Sequence, residues 1–193
     1  MSYSKISLNV AKYISHETEC DNEKQQVIAY AVEGLLLTIG GFVLIVFVGA
    51  VFGAAFPAAV TAFAGGSLRR FSGGVHAETP LKCMLFSSLG YGLAASAGNY
   101  LSKLVVIDNT YLILTLVFCL LLVAYYAPVD CPAKPIHSTV LRKRLKIGSI
   151  CFVVLIIALV IILDSASIKL ALILGVFLQS LTLLPLFNNQ RRR

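Results

Sequence analysis

The 193 residues are 58% hydrophobic and 13% charged, with a formal net charge of +7. Their apolar runs approach or exceed the ~20 residues a helix needs to cross a bilayer, and they lack the polar face that a helix on a soluble domain shows every three or four residues. A water-soluble globular domain is thereby excluded. The composition predicts one membrane domain over residues 1–193, an all-α, polytopic integral membrane bundle of about six transmembrane or re-entrant helices.

Residues 1–26 are polar and place Ile6, Val10, Tyr13 and Ile14 at roughly helical spacing among Lys5, Lys12, Glu17 and Glu19. This predicts an amphipathic helix on the cytoplasmic leaflet, with a frayed polar leader as the alternative. No small-residue cleavage site follows a short apolar core, so no cleaved signal peptide is expected.

Six apolar segments follow, at 27–49, 51–64, 81–101, 111–127, 147–163 and 168–187. The second is short and carries Pro57, so it reads as a tilted, kinked or re-entrant helix, or as the continuation of the first beyond a break near Gly53. With six crossings, 14 of the 16 Lys and Arg residues fall on one side and only Lys103 and Lys169 on the other. The positive-inside rule places the basic side in the cytoplasm. Glu33, inside the first segment, would mark a proton path in a transporter or reach back to the interface; its place near the cytoplasmic end favours the interface. The region 128–146 carries Pro128, Pro132 and Pro135 and then Arg142, Lys143, Arg144 and Lys146, which read as topogenic charge beside anionic lipid or as a substrate contact. Arg191, Arg192 and Arg193 read as a topology-setting tail.

Of the five cysteines, Cys119 and Cys151 lie within apolar segments as small packing residues, while Cys20, Cys83 and Cys131 lie on the reducing side. No structural disulfide is expected. There is no CxxC pair, and His16 with Cys20 is the only other close helical His and Cys spacing, so no metal or other cofactor is expected.

Chemistry concentrates in residues 66–83, expected to be a cytoplasmic loop and helix start. Thr79 can cap a helix opening at Pro80, which puts Cys83 in or next to its first turn. There the helix dipole, Lys82 and the nearby arginines favour a thiolate. His76 can fold back over the helix start, take the thiol proton and later give one to a leaving amine. Gly73 and Gly74 allow a tight turn and leave room for a peptide backbone, and backbone N–H groups around Cys83 could hold an oxyanion. The rival readings are a bystander Cys and His, arginines that only set topology, a competing pair at Cys131 and His137, a membrane transporter of a small peptide or solute, and a noncatalytic scaffold.

The run Arg70-Phe71-Ser72-Gly73-Gly74-Val75-His76-Ala77 followed by Cys83, then Tyr126-Ala127-Pro128, Lys134-Pro135 and a basic stretch before the next crossing, resembles the accessory gene regulator protein B (AgrB) family over nearly the whole chain. The resemblance implies a membrane cysteine endopeptidase of bacterial quorum sensing, acting on a small AgrD-type propeptide at the cytoplasmic face of the cell membrane. It implies Cys83 as nucleophile and His76 as base, with Arg70, Gly73 and Gly74 supporting the site or binding substrate. The implied partners are the propeptide, membrane lipid and a second copy of the chain; nucleic acid is not among them. Family members often have an acidic residue or Asn near Asp130-Cys131, so Cys131 departs from that pattern. No third member of a triad is evident, and Glu78 and Asp130 are candidates to orient His76.

Overall fold

The computed structural model describes residues 4–18, 21–74, 79–106, 108–129 and 138–185. His76, Glu78, Asp130, Cys131, Lys134, Pro135, His137, Cys20 and the C-terminal arginines, all singled out above, lie outside the described residues. Within those residues the chain forms seven helices and no strand: α1 (Lys5–Glu17), α2 (Asn22–Val51), α3 (Ala55–Ser72), α4 (Pro80–Leu104), α5 (Asn109–Tyr126), α6 (Thr139–Ile162) and α7 (Ala166–Leu181). This is the all-α bundle expected, with α2 to α7 matching the six apolar segments in order. Helices α2, α5 and α6 are long and apolar enough to cross a membrane, and α7 is a shorter apolar helix. Large side chains such as Phe47, Phe63, Phe86, Leu121 and Ile162 point outward, as acyl chains require and water does not. The chain is a membrane protein.

The break between α2 and α3 falls at Gly53, as one of the two readings of the sequence allowed. Gly53 takes φ 68° and donates its N–H to Ala50, while Ala54 donates to the Gly49 carbonyl at 2.7 Å. These are the two bonds of a Schellman stop, which needs a left-handed residue just past the helix. Pro57 then stands in the first turn of α3, where a missing N–H leaves no helical bond unmade, so it starts the helix and does not kink it. Helix α3 runs eight residues past the expected end and takes in Arg69 and Arg70.

Two of the helices that are not among the long apolar ones, α3 and α7, supply the centre of the bundle. Helix α3 packs most extensively on α7 and also against α2, α4 and α6. Small residues make that approach possible, because helices in lipid gain from close packing and not from escaping water. A side chain at Gly175 would run into the Thr61 carbonyl and the Ala64 methyl group, and the Thr61 hydroxyl donates across to Ala171 at 3.1 Å. Around this pair, Leu116, Cys119 and Val123 of α5 and Val153, Ile156 and Val160 of α6 complete the larger core. A smaller one joins Ile45, Ala58, Ala62 and Ala95. Cys119 is buried as a packing residue, whereas Cys151 is exposed on α6.

Helix α1 does not turn its apolar residues inward. Ser7, Ala11 and Ser15 form the face buried on α2, while Ile6, Val10 and Tyr13 stay exposed beside exposed Lys5 and Lys12. Such a helix suits a lipid interface. Glu33 holds it there, accepting from the Ser4 N–H and the Ser7 hydroxyl, each at 2.7 Å. A carboxylate so engaged is an anchor and not an open proton carrier. Replacing it, as in Glu33→Leu, is expected to raise hydrogen exchange in α1 by about 10-fold, since bonds to a charged group contribute roughly 1.5–3 kcal/mol when well sheltered and less here; unchanged exchange would refute the anchor.

At the opposite end of the bundle lie the turns 52–54 and 163–165 and the C-terminal end of α4 with the start of α5. There the Lys169 ammonium, largely buried, donates to Asn109 at 2.9 Å, and Ser167 donates to Asn99 at 2.7 Å. Asp108 caps α5 by accepting the Thr110 N–H, which holds its carboxyl below the usual carboxylate range. That cap is complete at neutral pH and is lost as pH falls through the depressed pKa.

Candidate active site

At the end of α3 the backbone turns into conformations open only to glycine. Gly73 has φ 68° and ψ −151°, and Gly74 has φ 142°; a side chain in either region is strained. The turn is held from three directions. Gly73 closes α3 by donating to the Arg69 carbonyl at 3.0 Å, and Val129 donates to the Ser72 carbonyl at 2.9 Å. From α7, Gln179 Nε2 donates to the Gly73 carbonyl at 2.7 Å and to Ser72 Oγ at 3.2 Å. Ser72 Oγ in turn donates to the Gly73 carbonyl at 3.1 Å. Space is as restrictive as conformation: a Cβ at Gly73 would strike the Val129 carbonyl, and one at Gly74 would lie 2.7 Å from Thr182 Oγ1 and 3.1 Å from Gln179 Nε2.

Helix α4 starts as its sequence predicts. Thr79 is the N-cap and accepts the Lys82 N–H at 3.3 Å, with Pro80 opening the first turn. Cys83 is the fourth helical residue, and its own N–H is bonded to the Thr79 carbonyl at 3.1 Å. The N–H groups of Lys82 and Cys83 are therefore engaged, and an oxyanion held beside Cys83 needs other donors. The thiol itself is partly exposed.

The cation that reaches the sulfur comes from α3. Arg69 Nη2 lies 3.8 Å from Cys83 Sγ, bridging the last turn of one helix and the first turn of the next, while neighbouring Arg70 is exposed. Arg69 offers a thiolate a charge-assisted donor and offers an incoming carboxylate or carbonyl a positive field. Arg69→Met is expected to slow alkylation of Cys83 by iodoacetate about 5–10-fold more than by neutral iodoacetamide, the difference reading the local charge. Equal slowing of the two reagents would show that the guanidinium exerts no field there.

The structure thus joins Cys83, Gly73 and Gly74 through Arg69 and the Thr79 cap. His76 lies outside the described residues, between the glycine turn and the Thr79 cap. The residues not singled out from sequence are Gln179 and Val129, which secure the glycine turn across 106 and 57 positions. Gln179 is fully buried, and its Oε1 has no hydrogen-bond partner among the described residues. Leaving such an acceptor open costs about 1–3 kcal/mol. A long polar amide inside an apolar run was the one signal available, and it was not used.

The model of the Accessory gene regulator B family matches residues 7–183, from α1 to the turns that end α7. AgrB-like protein 2 of Clostridium perfringens (strain 13 / Type A) is 32% identical over 151 residues, covering 75% of this chain and 69% of that protein. An AgrB-like protein of Clostridium perfringens (strain SM101 / Type A) is 28% identical over 196 residues, 95% of this chain and 92% of its own. Another, from Listeria monocytogenes serotype 4a (strain HCC23), is 25% identical over 173 residues, 90% and 83%. No solved structure matches. The chain belongs to the accessory gene regulator B family, and so to the Agr quorum-sensing system.

Proposed function

We propose that this chain is a multi-pass membrane cysteine endopeptidase, its site facing the cytoplasm, that removes the C-terminal part of an AgrD-type propeptide and passes the remainder on to ring closure. The observation that carries the reading is the partly exposed Cys83 thiol in the opening turns of α4, with the Arg69 guanidinium 3.8 Å from its sulfur. Family membership supports the propeptide as substrate.

The chemistry follows from the thiol. His76 takes the Cys83 proton, and the sulfur attacks the carbonyl carbon at the C-terminal edge of the future ring. The imidazolium then protonates the departing nitrogen, the C–N bond breaks, and the C-terminal fragment leaves as a free amine. The acyl group stays on Cys83 as a thioester. An internal Cys of the bound propeptide, or a Ser, attacks that thioester; its proton returns to Cys83 as the thiolactone or lactone closes. Exclusion of water at the membrane surface lets this transfer outrun hydrolysis.

The basic residues of the region after α5 belong to this reading as steering groups. Arg142, Lys143, Arg144 and Lys146 are exposed on the first two turns of α6, where the helix dipole alone would favour anions. Replacing Arg142, Lys143 and Arg144 together by Gln is expected to slow propeptide capture about 10-fold at low ionic strength and much less at high salt; processing that stays unchanged at low salt would remove them from the mechanism.

The test of the whole is reconstitution of the full chain in liposomes with a propeptide encoded beside its gene, followed by mass. Loss of the C-terminal piece with wild type, and neither with Cys83→Ala nor with His76→Ala, is the expected result. Equal processing by Cys83→Ala would overturn the proposal.

A further inference from the structure

We infer that Gln179 is a positioning residue for this thiol chemistry, its amide fixing the Ser72–Gly73 peptide from which the chain runs on to His76; the inference rests on the peptidase reading above. On α7 the amide stands among buried apolar side chains, with Leu172, Ile173 and Val176 beside it. The cost of burying an amide in such a place is offset only by what it binds. Both of its donor hydrogens go to one turn on a different helix, to the Gly73 carbonyl and to Ser72 Oγ.

The turn needs such a hold because of its own composition. Two successive glycines at positive φ have no Cβ to confine them, so their direction is set by what grips the backbone from outside. Val129 grips the Ser72 carbonyl, and Gln179 grips the next carbonyl along. One turn beyond Gln179, Thr182 lies so close to Gly74 that a Cβ there would meet its hydroxyl. The end of α7 is therefore a template for residues 72–74, and His76 follows two residues later in the chain. Removing the amide leaves the Gly73 carbonyl, among the described residues, with the Ser72 hydroxyl, and loosens the hold on the peptide that precedes Gly74. The reactive pairing of imidazole and thiol is then populated less often, and small misplacements of this kind are costly in rate.

The experiment uses the full chain in liposomes and reads alkylation of Cys83 by iodoacetamide against pH, mapped by peptide mass, together with thermal unfolding. Gln179→Met keeps the length of the side chain and suits an apolar core, so the fold is expected to persist. At about pH 6 the wild type should react about 10-fold faster than His76→Ala, because both proteins keep Arg69 and only the wild type has an imidazole to take the thiol proton. Gln179→Met should fall to within about twofold of His76→Ala at that pH and match the wild type at about pH 9, where solvent hydroxide takes the proton in place of the imidazole. A purely structural role would lower the melting temperature and leave the profile in place. Wild-type reactivity at low pH in Gln179→Met, alongside its loss in His76→Ala, overturns this inference and spares the peptidase reading. No difference between wild type and His76→Ala overturns the peptidase reading, and this inference with it. Gln179→Leu carries the same expectations should the methionine variant fail to accumulate in the membrane.

Discussion

Cys83→Ser is expected to slow propeptide cleavage by about 10³-fold or more, the scale on which thiol and hydroxyl proteases lose activity when the nucleophile is disabled. The substitution is nearly isosteric and leaves the backbone of α4 untouched, since its start is set by the Thr79 cap and Pro80 and not by the side chain at position 83. A serine hydroxyl is far harder to ionise than a thiol, and the Arg69 guanidinium does not close that gap. Propeptide binding and membrane insertion should therefore be unchanged while acyl transfer stops. The acyl-enzyme offers a second readout on the same sample. Acid-quenched wild type should carry a hydroxylamine-sensitive adduct on the peptide containing Cys83, and Cys83→Ser should carry none. Cleavage by the serine protein at the wild-type rate would place the nucleophile elsewhere.

The local features of this site were legible because they depend on neighbours in sequence. The Thr79 and Pro80 pairing is a helix start in any context, and it placed Cys83 correctly near the first turn of α4. The six apolar segments likewise needed only hydropathy, and each has its helix. What was not legible depends on contacts between distant parts of the chain. The second apolar segment ends at Ala64 by hydropathy, whereas in the bundle Gly65, Gly66 and Ser67 continue the helix, and Gly65 is small because the Tyr91 ring lies against it. That extension brings Arg69, not its exposed neighbour Arg70, to the sulfur. One residue along a helix is a rotation of 100°, which no motif reading resolves. Val129 meets the glycine turn with no pattern of its own, and the one sign that Gln179 carries, a polar amide in an apolar run, does not say what it meets. At α1 the apolar stripe reads as an interfacial face and does turn away from the protein, but the small-residue stripe Ser7, Ala11 and Ser15 that packs on α2 carries no hydropathy signal.

Gly73→Ala is expected to disable the site without touching either proposed catalytic side chain. The φ and ψ at Gly73 lie where a Cβ is strained, at a cost of about 1–3 kcal/mol. Here the methyl group would also meet the Val129 carbonyl, so relief through a local shift must stretch the Val129 to Ser72 bond or break the Gln179 clamp. Either route moves the residues that precede His76. Cleavage should fall about 30–100-fold, in keeping with the loss of about 2–3 kcal/mol of preorganisation, and the melting temperature should drop by several degrees. Gly90→Ala is the matched control, because Gly90 lies inside α4 with open space where its Cβ would stand. Alanine favours a helix interior over glycine by about 1 kcal/mol, so this variant should be as active as wild type and at least as stable. If Gly73→Ala matched Gly90→Ala in both rate and melting temperature, the turn between α3 and α4 would be a passive connection and not part of the catalytic framework.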